Sequence, residues 1–401
     1  MKKSLLIICL ICFTISSCSD DPVTGGGNLN NEKLQTMVDS LTNFYYTERN
    51  ITKGGFLIKI NTNSGNYFAS GGIVPAPDEN SHLRLCSISK TFNAAAVMLL
   101  HQQGKVNIND LITGNFPGTS TPYLPASPDY EVPYKNQITL KLLLEHRAGV
   151  FDVTNDPIPA SVPQPYAGQQ YAVYIMGLPG NEYHTFTFDE MVGVAATNDL
   201  SYFPPGQQYH YSNTGYHILA KIIERASGQT WSEFVNTNFF QPLSLNNTSS
   251  VWRGNDTIIP APYVESFFYL NGVTTNTTWQ NMSSHVSEGN VISTPGDIIK
   301  WMNLLITGQA GINMNNVELM KQTIPTGENG PNAFYGLGIC YIDGLGYGHT
   351  GALPGYLLID FYDPATGITV FAAFNFWDYA NVQSQNNGMI EFAINALNAV
   401  R

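Results

Sequence analysis

The 401-residue sequence is poor in charge and in cysteine, and it lacks the patterns typical of metal and phosphate sites. Only 12% of its residues are charged, and the formal net charge of −12 argues against nucleic acid as a partner. It contains no His-Glu-x-x-His motif, no cysteine–histidine metal spacing and no glycine-rich phosphate loop, so we expect neither a metal nor any other cofactor. No apolar run after residue 15 is long enough to span a bilayer.

The N-terminus carries the pattern of a secretory leader. Lys2 and Lys3 precede a mostly apolar run over residues 5–15, which is too short to cross a membrane, and small residues follow it. The sequence Ile-Ser-Ser-Cys at 15–18 resembles a bacterial lipobox, which implies cleavage before Cys18 and a lipid on that cysteine. The alternative is an ordinary signal peptide in which Cys18 plays no part.

These features predict a signal peptide over residues 1–17 and a flexible, glycine-rich tether over residues 18–31. The protein is then expected in the cell envelope, anchored to a membrane through its N-terminal lipid. The outer membrane is the first choice, on its periplasmic or cell-surface face. Apart from Cys18, the mature chain keeps Cys86 and Cys340, and we do not expect them to pair because Cys86 directly precedes a candidate nucleophile.

Apolar periodicity and turn residues predict one domain over residues 32–401. Strands at both ends with helices between them predict an α+β fold: an antiparallel sheet built from both termini, flanked by helices, with an inserted, mostly helical lobe. Helical patterns cover residues 32–48, 87–103, 139–146, 214–227, 231–240, 298–306 and 389–400, and strand patterns cover 56–61, 66–70, 335–343, 355–362 and 368–376.

The α/β part is expected at about 32–95 and 285–401, and the lobe at about 96–284. The lobe contains two segments without a clear pattern, at 114–136 and 152–187, both rich in proline and tyrosine. The second segment is either a lid or binding rim, or a decoration of the fold, and both interpretations stay open.

The stretch Ser87-Ile88-Ser89-Lys90 heads one of the predicted helices. Ser87 and Lys90 lie one turn apart and share a helix face. Apolar surroundings lower the pKa of a lysine, which can then exchange a proton with a nucleophilic serine, and the first N–H groups of the helix can bind an oxyanion. Taken alone this pattern is weak, because a solvated lysine on an ordinary helix is the alternative.

Tyr211-Ser212-Asn213 lies at a predicted junction between a loop and a helix. A phenol there can act as a general base if neighbouring cations lower its pKa. The amide of Asn213 is expected to orient a substrate carbonyl and to hold Lys90. A helix cap with a packed tyrosine is the alternative.

His349-Thr350-Gly351 follows a predicted strand. We expect His349 to supply a cation or a proton near Ser87, and Thr350 to offer its hydroxyl to a substrate carboxylate. Gly351 is expected to let a ligand approach the backbone closely. A hairpin turn with an exposed histidine is the alternative.

Together the three motifs, in this order, resemble those of the penicillin-recognising serine hydrolases: class C β-lactamases, DD-peptidases and related esterases. The resemblance covers most of residues 32–400 and includes flanking stretches such as 143–149 and 289–297. It implies a β-lactamase/transpeptidase-like fold, with Ser87 as nucleophile and Lys90 and Tyr211 as proton carriers. The implied substrate-binding residues are Asn213, His349, Thr350, Gly351 and Ala352, and the implied oxyanion hole consists of the N–H groups of Ser87 and Ala352.

Two details bear on the substrate. Class C β-lactamases carry a lysine where His349 stands, so this chain looks more like a DD-peptidase or an esterase. DD-carboxypeptidases with a His-Thr-Gly motif hold the terminal carboxylate with an arginine shortly upstream, whereas no Lys or Arg lies between Lys321 and Arg401 here. Ala352 also replaces a second threonine of such peptidases.

We therefore expect a serine hydrolase that works through an acyl-enzyme on a small peptide or ester. The first hypothesis is a D-Ala-D-Ala carboxypeptidase-like enzyme or D-amino-acid peptide hydrolase, acting for example on peptidoglycan stem peptides, with Arg147 or Arg253 as alternative partners of the carboxylate. A carboxylesterase or a weak class C-type β-lactamase is the alternative. A non-catalytic surface binding module is the alternative of another class.

Overall fold

The computed structural model describes residues 26–400. The predicted signal peptide, Cys18 and the first part of the predicted tether lie outside the described residues. The α-helices of the described range are α1 (Gly26–Glu48), α2 (Ser89–Gln102), α3 (Leu140–Leu144), α4 (Tyr171–Met176), α5 (Phe188–Thr197), α6 (Asn213–Ser227), α7 (Trp231–Val235), α8 (Pro295–Ile306), α9 (Met314–Met320) and α10 (Val382–Val400). Within this range, no helix combines the length and the apolar character needed to cross a membrane.

The strands fall into one large and two small sheets. In chain order they are β1 (Phe56–Thr62), β2 (Gly65–Gly71), β3 (Leu83–Arg84), β4 (Ser249–Ser250), β5 (Phe267–Leu270), β6 (Val273–Asn276), β7 (Val291–Ser293), β8 (Ile324–Pro325), β9 (Phe334–Tyr335), β10 (Cys340–Ile342), β11 (Gly346–Leu353), β12 (Tyr356–Asp363), β13 (Ile368–Phe374) and β14 (Phe376–Asp378). The large sheet has the order β2-β1-β13-β12-β11-β10-β9-β8, and the small sheets have the orders β3-β7-β4 and β14-β5-β6.

The large sheet joins the two ends of the chain. Strands β1 and β13 pair antiparallel with Phe56 opposite Phe374, and β12 and β11 continue the sheet on the other side of β13. The prediction of an antiparallel sheet built from both termini is therefore confirmed. Central strands β12 and β13 are buried along nearly their whole length, which explains why their sequences are continuous apolar runs.

Helices cover both faces of this sheet. Helices α1 and α10 contact each other on one face, and α8 packs against β12 and β13 on the other. Helix α2 is buried from Ser89 to Leu100, as expected for a helix that is apolar nearly all round. It contacts α6 and α7, so α2 joins the sheet to the inserted lobe.

The segment 152–187 has structure of its own. It contains α4 and shares an apolar cluster with α5, in which Val153, Ile158 and Met191 are almost completely buried. This cluster fixes the start of the segment close to the site described below.

The local differences from the sequence prediction include the start of α1, the strand β11 and the start of α10. Helix α1 begins at Gly26, so residues 26–31 of the predicted tether are helical, because the buried side chains of Leu34 and Val38 stabilise the helix through packing. The sequence does not predict β11 as a strand, since glycine at 346, 348 and 351 weakens its pattern. Helix α10 starts at Val382, ahead of its apolar stripe.

Candidate active site

Ser87 lies in a 3₁₀ turn, Cys86–Ile88, that leads into α2. Helix α2 begins at Ser89, so the candidate nucleophile precedes the α-helix instead of lying on it as predicted. Cys86 has a φ of +52°, a conformation that persists in a non-glycine residue only where its surroundings fix it. Its thiol is buried, burial raises its pKa, and both Cys86 and Cys340 are free cysteines.

The side chain of Lys90 is completely buried beside Ser87. Its ammonium group donates to Ser87 Oγ at 3.3 Å, to the Glu288 carbonyl oxygen at 3.0 Å and to Glu288 Oε2 at 3.2 Å. Burial lowers the pKa of Lys90, and the negative charge of Glu288 opposes this shift. The alternative of a solvated lysine on an ordinary helix is therefore excluded.

Tyr211 borders the same site just before α6. Lys90 Nζ lies 4.7 Å from the centre of its ring, and the ring packs against that of His146 with 4.1 Å between centroids. Burial strongly raises the pKa of the Tyr211 phenol, whereas its interaction with the Ser87 hydroxyl lowers it. Among the described residues, the phenol oxygen has no well-aligned hydrogen-bond partner. Ser87, Lys90 and Tyr211 are thus close enough to exchange a proton.

Asn213 is fixed by the loop that follows α3. Its backbone N–H donates to Asp152 Oδ2 at 3.2 Å, and its Nδ2 donates to Thr154 Oγ1 at 2.7 Å. The expectation that Asn213 holds Lys90 is not met, because within residues 26–400 the Lys90 ammonium donates to Ser87 and Glu288. The loop 152–154 therefore orients the amide.

His349 is a buried, neutral residue behind the cavity. Its Nδ1 donates to the Thr350 carbonyl oxygen, and its Nε2 accepts a hydrogen bond of 2.8 Å from the Tyr335 hydroxyl. Burial, together with the charge of Lys90, lowers the pKa of His349 to about 3. The expectation that His349 supplies a cation is therefore wrong, because a buried imidazole near an ammonium ion does not readily take up a second proton.

The strand β11 forms the wall opposite the nucleophile. Thr350 and Ala352 are among the residues that line the cavity. Gly351 instead faces the Ser87 turn, where an added Cβ would lie only 2.6 Å from the Leu85 carbonyl oxygen. Glycine is needed here for close packing of β11 on that turn, which corrects the expectation that it makes room for a ligand.

Ser87 opens into a cavity of about 330 Å³. Tyr211, Asn213, Thr350 and Ala352 share it, and Trp377 supplies an aromatic wall. Much of the remaining lining consists of side-chain amides, from Asn155, Asn329, Asn332, Gln383 and Asn386. Asn155 comes from the segment 152–187, which therefore contributes to the binding rim.

The charged groups on the cavity wall are acidic. Glu288 and Glu328 line it, whereas no arginine or lysine does so within residues 26–400. Arg147 donates to the Pro325 carbonyl oxygen, and Arg253 lies over the ring of Trp252. The two arginines considered as partners of a substrate carboxylate are thus engaged elsewhere.

Sequence reasoning missed three polar residues that organise the site. Glu288 pairs with Lys90, His285 donates to Glu288 Oε1 at 2.6 Å, and Asp152 positions Asn213. Asp152 and Glu288 lie outside the regular helices and strands, and His285 ends a short 3₁₀ helix, so no periodic pattern in the sequence singles them out. Within the described part of the chain, no group of three or more His, Cys, Asp or Glu side chains is placed to hold a metal ion.

Comparison with known sequences identifies the chain's relatives. A family model described as Beta-lactamase matches residues 48–391. Penicillin-binding protein 4* of Bacillus subtilis (strain 168) is 30% identical over 170 residues, which is 42% of this chain and 30% of that protein. The human serine beta-lactamase-like protein LACTB, mitochondrial, is 33% identical over 125 residues, which is 30% of this chain and 22% of that protein. The matches thus span less than a third of these relatives' length.

Solved structures with the same fold cover nearly the whole chain. A D-stereospecific amidohydrolase from Streptomyces sp. has a TM-score of 0.72 and 20% identity, with 91% of this chain and 98% of that chain covered. The D-amino acid amidase from Ochrobactrum anthropi SV3, complexed with L-phenylalanine amide, has a TM-score of 0.72 and 21% identity, with 92% and 98% covered.

Proposed function

The chain belongs to the beta-lactamase family and is a serine hydrolase, and on this premise we propose that it hydrolyses D-amino-acid amides or short D-amino-acid peptides. The proposal gives preference to substrates with a free amino group over those with a free terminal carboxylate. Of the two activities that the sequence suggests first, we therefore prefer a D-amino-acid peptide hydrolase to a D-Ala-D-Ala carboxypeptidase.

The chemistry follows from the groups around Ser87. Ser87 Oγ attacks the carbonyl carbon, and its proton passes, with the Tyr211 hydroxyl as a relay, to the neutral amine form of Lys90, which burial favours. Collapse of the tetrahedral intermediate breaks the C–N bond, and the amine leaves with that proton. Water then attacks the acyl-enzyme ester and gives up a proton to the same pair, which releases the acid and restores Ser87.

The charge of the cavity wall is the observation that carries the substrate preference. A substrate carboxylate here would face Glu328 and, within residues 26–400, find no arginine or lysine on the wall, while the charge of Glu288 is already paired with Lys90. His349 does not replace them, since it is neutral and hydrogen-bonded to Tyr335. An ammonium or amide group, in contrast, finds the Glu328 carboxylate and the carboxamides of the wall as partners.

Two structural neighbours support the choice of D-amino-acid amides. One is named a D-stereospecific amidohydrolase and the other a D-amino acid amidase. Both have the same fold as this chain, and both names describe enzymes that act on amides. The Asn and Gln side chains of the cavity can donate to and accept from such a substrate.

A substrate comparison tests the proposal. We expect D-alanine amide and D-Ala-D-alanine amide, which have a free amino group and no carboxylate, to be hydrolysed at least about 10-fold faster, in kcat/KM, than N-acetyl-D-Ala-D-Ala. Ser87→Ala should abolish all three activities, and the L-alanine amide is the control for stereochemistry. Faster turnover of the N-acetylated peptide would contradict the preference for an amino group.

A carboxylesterase is the second candidate function. The observation that favours it is again the absence of arginine and lysine from the cavity wall within residues 26–400. An ester with an uncharged acyl group needs neither an ammonium partner nor a carboxylate partner. Hydrolysis of p-nitrophenyl acetate without turnover of any D-amino-acid amide or peptide would reverse the order of the two candidates. In the same set of assays, hydrolysis of the β-lactam nitrocefin tests the alternative of a β-lactamase.

We also propose that the enzyme is anchored in the cell envelope through a lipid on Cys18, where peptidoglycan stem peptides are within its reach. The support is the basic, apolar and small-residue pattern of residues 1–18. Labelling with palmitate should mark the wild-type protein and should be lost in Cys18→Ala. Labelling that persists in Cys18→Ala would contradict this assignment.

A further inference from the structure

Glu288 forms a buried ion pair with Lys90 that the proton exchange described above does not require. Lys90 is 0% exposed and Glu288 is 1% exposed. Removing two charges from water is costly, and a buried ion pair is often no more stabilising than apolar residues of the same volume. Its position next to the nucleophile therefore indicates a role in the reaction more than a role in stability.

The turn that carries Glu288 is held in a defined shape. Ser287 has a φ of +76°, and its N–H donates to Asn290 Oδ1 at 3.0 Å. Asn290 Nδ2 in turn donates to the Val251 carbonyl oxygen at 2.6 Å. Ser287 is thus a non-glycine residue in the left-handed region, and the buried Asn290 holds it there. Backbone strain of this kind is typically maintained at functional sites.

The same turn is attached directly to the turn that carries Ser87. Strand β7, which follows Glu288, pairs with β3, which precedes Ser87. The Leu85 N–H donates to the Val291 carbonyl oxygen at 2.8 Å, and the Val291 N–H donates to Ser89 Oγ at 3.1 Å. The position of the carboxylate relative to Ser87 and Lys90 is thereby fixed by the backbone.

His285 connects this pair to the cavity. Its Nδ1 donates to Glu288 Oε1 at 2.6 Å, and both residues are among those that line the cavity. One carboxylate oxygen thus accepts from Lys90 and the other from His285, so both oxygens have a partner.

From this geometry we propose that Glu288 is a positioning residue, which holds the Lys90 ammonium against Ser87 and sets the pH range over which Ser87 is acylated. The role applies to any acyl donor, so it does not depend on the substrate proposed above. The other titratable groups that face this pair are Tyr211 and the side chains of Cys86, His146, Asp152, Tyr216, His217 and His349.

The sign of the expected effect follows from the charge of Glu288. The carboxylate raises the pKa of Lys90 and also that of Tyr211. Its removal lowers both pKa values, so the whole pH–rate profile moves to lower pH, whichever of the two groups accepts the proton of Ser87.

The test measures the rate at which a fluorophosphonate phosphonylates Ser87, with loss of fluoride, from pH 5 to 10, for the wild type, Glu288→Gln, Glu288→Asp and Glu131→Gln. This reaction requires the same removal of the Ser87 proton as acylation does. We expect Glu288→Gln to lower the maximal rate about 100-fold and to move the profile down by about one pH unit or more. Glu288→Asp keeps the charge and should keep the position of the profile. Glu131→Gln, which removes an exposed ion pair with Lys135, should match the wild type.

A folded Glu288→Gln protein whose profile superimposes on that of the wild type overturns the proposal. A Glu288→Asp protein whose pH–rate profile moves as far as that of Glu288→Gln also overturns it. The length of the side chain, and not its charge, would then determine the position of the profile. Since the readout is a fluorophosphonate, failure of the amide and peptide assays leaves this result interpretable.

A second measurement covers the case in which Glu288→Gln does not fold. The wild-type protein labelled with [δ-13C]glutamate should show the Glu288 resonance at its ionised position down to about pH 4. The resonance is assigned by its disappearance in Glu288→Asp. Titration of this resonance between pH 4 and 7 would overturn the proposal, because the carboxylate would then not be held by Lys90.

Discussion

Glu288 and Asp360 are both buried carboxyl groups, but their surroundings place them in opposite charge states. Burial alone would raise the pKa of Glu288, yet Lys90 and His285 lower it to about 2. Asp360 in β12 is 0% exposed and, among the described residues, has no hydrogen-bond partner, so burial raises its pKa well above the usual range. Partners, and not depth in the protein, decide which carboxyl group is ionised, and the ionised one lies beside the nucleophile.

The largest effect is expected from substituting Lys90, because Glu288, like Asp360, then has no lysine beside it. Lys90→Met should slow acylation of Ser87 by at least about 1,000-fold, because the proton carrier is lost. It should also lower the free energy of unfolding by about 3–5 kcal/mol near neutral pH, because an unpaired carboxylate stays buried. The measurements are fluorophosphonate labelling and urea unfolding.

The matched control is the double variant Lys90→Met/Glu288→Leu. It should recover most of the lost stability without recovering the acylation rate, since both charges are gone. A Lys90→Met protein as stable as the wild type at all pH values would show that Glu288 and Asp360 do not differ in the way described.

The second effect concerns Asp360. Its pKa is higher in the folded state than in the unfolded state, so its contribution to stability is complete below the unfolded pKa of about 3.9 and is lost as the pH rises. Asp360→Asn should therefore gain stability relative to the wild type between about pH 4.5 and pH 7.5, by about 1–3 kcal/mol. Urea unfolding at both pH values measures this difference.

The acylation rate of Asp360→Asn should stay at the wild-type value, because Asp360 contributes nothing to the cavity wall described above. A difference in stability that does not change with pH would mean that Asp360 is ionised in the folded protein, and the contrast with Glu288 would then disappear.

The smallest effect is expected from substituting His285, the second partner of Glu288, while Lys90 stays in place. His285→Asn should raise the pKa of Glu288 above that of the wild type, because one of the three residues that lower it, Lys90, His285 and His217, is lost. We expect a loss of about 1 kcal/mol in stability and about a 10-fold slower acylation. The 13C titration of Glu288 measures the pKa directly, and an unchanged titration would show that His285 does not help to keep Glu288 ionised.

The parts of the fold that could be predicted are those in which local pattern and tertiary packing agree. The apolar runs of β12 and β13, the turn between them and the buried stripe of α6 are visible in the sequence, and so is their combination into a sheet with a helical insert. Ser87, Lys90 and Tyr211 were also identified from motifs, and the structure places these three side chains next to each other.

Other parts depend on contacts that no local pattern records. Glu288 lies 198 positions from Lys90 along the chain, and its sequence neighbours do not show that an ammonium group faces it. The neutrality of His349 depends on Tyr335 and Lys90, which also lie on other elements. Gly351 was expected to meet a ligand, but it meets the Leu85 carbonyl oxygen, because the packing of β11 on the Ser87 turn is a tertiary contact.

The pairing of β3 with β7 also has a consequence for biosynthesis. Ser87 and Lys90 leave the ribosome early, whereas Glu288, β11 and β13 are translated some 200 residues later or more. Contacts between such distant parts of a chain form late in folding. The nascent N-terminal half therefore carries a serine that has neither its opposing wall nor the partner of its lysine, and the chain acquires its reactivity only when its last strands join the sheet.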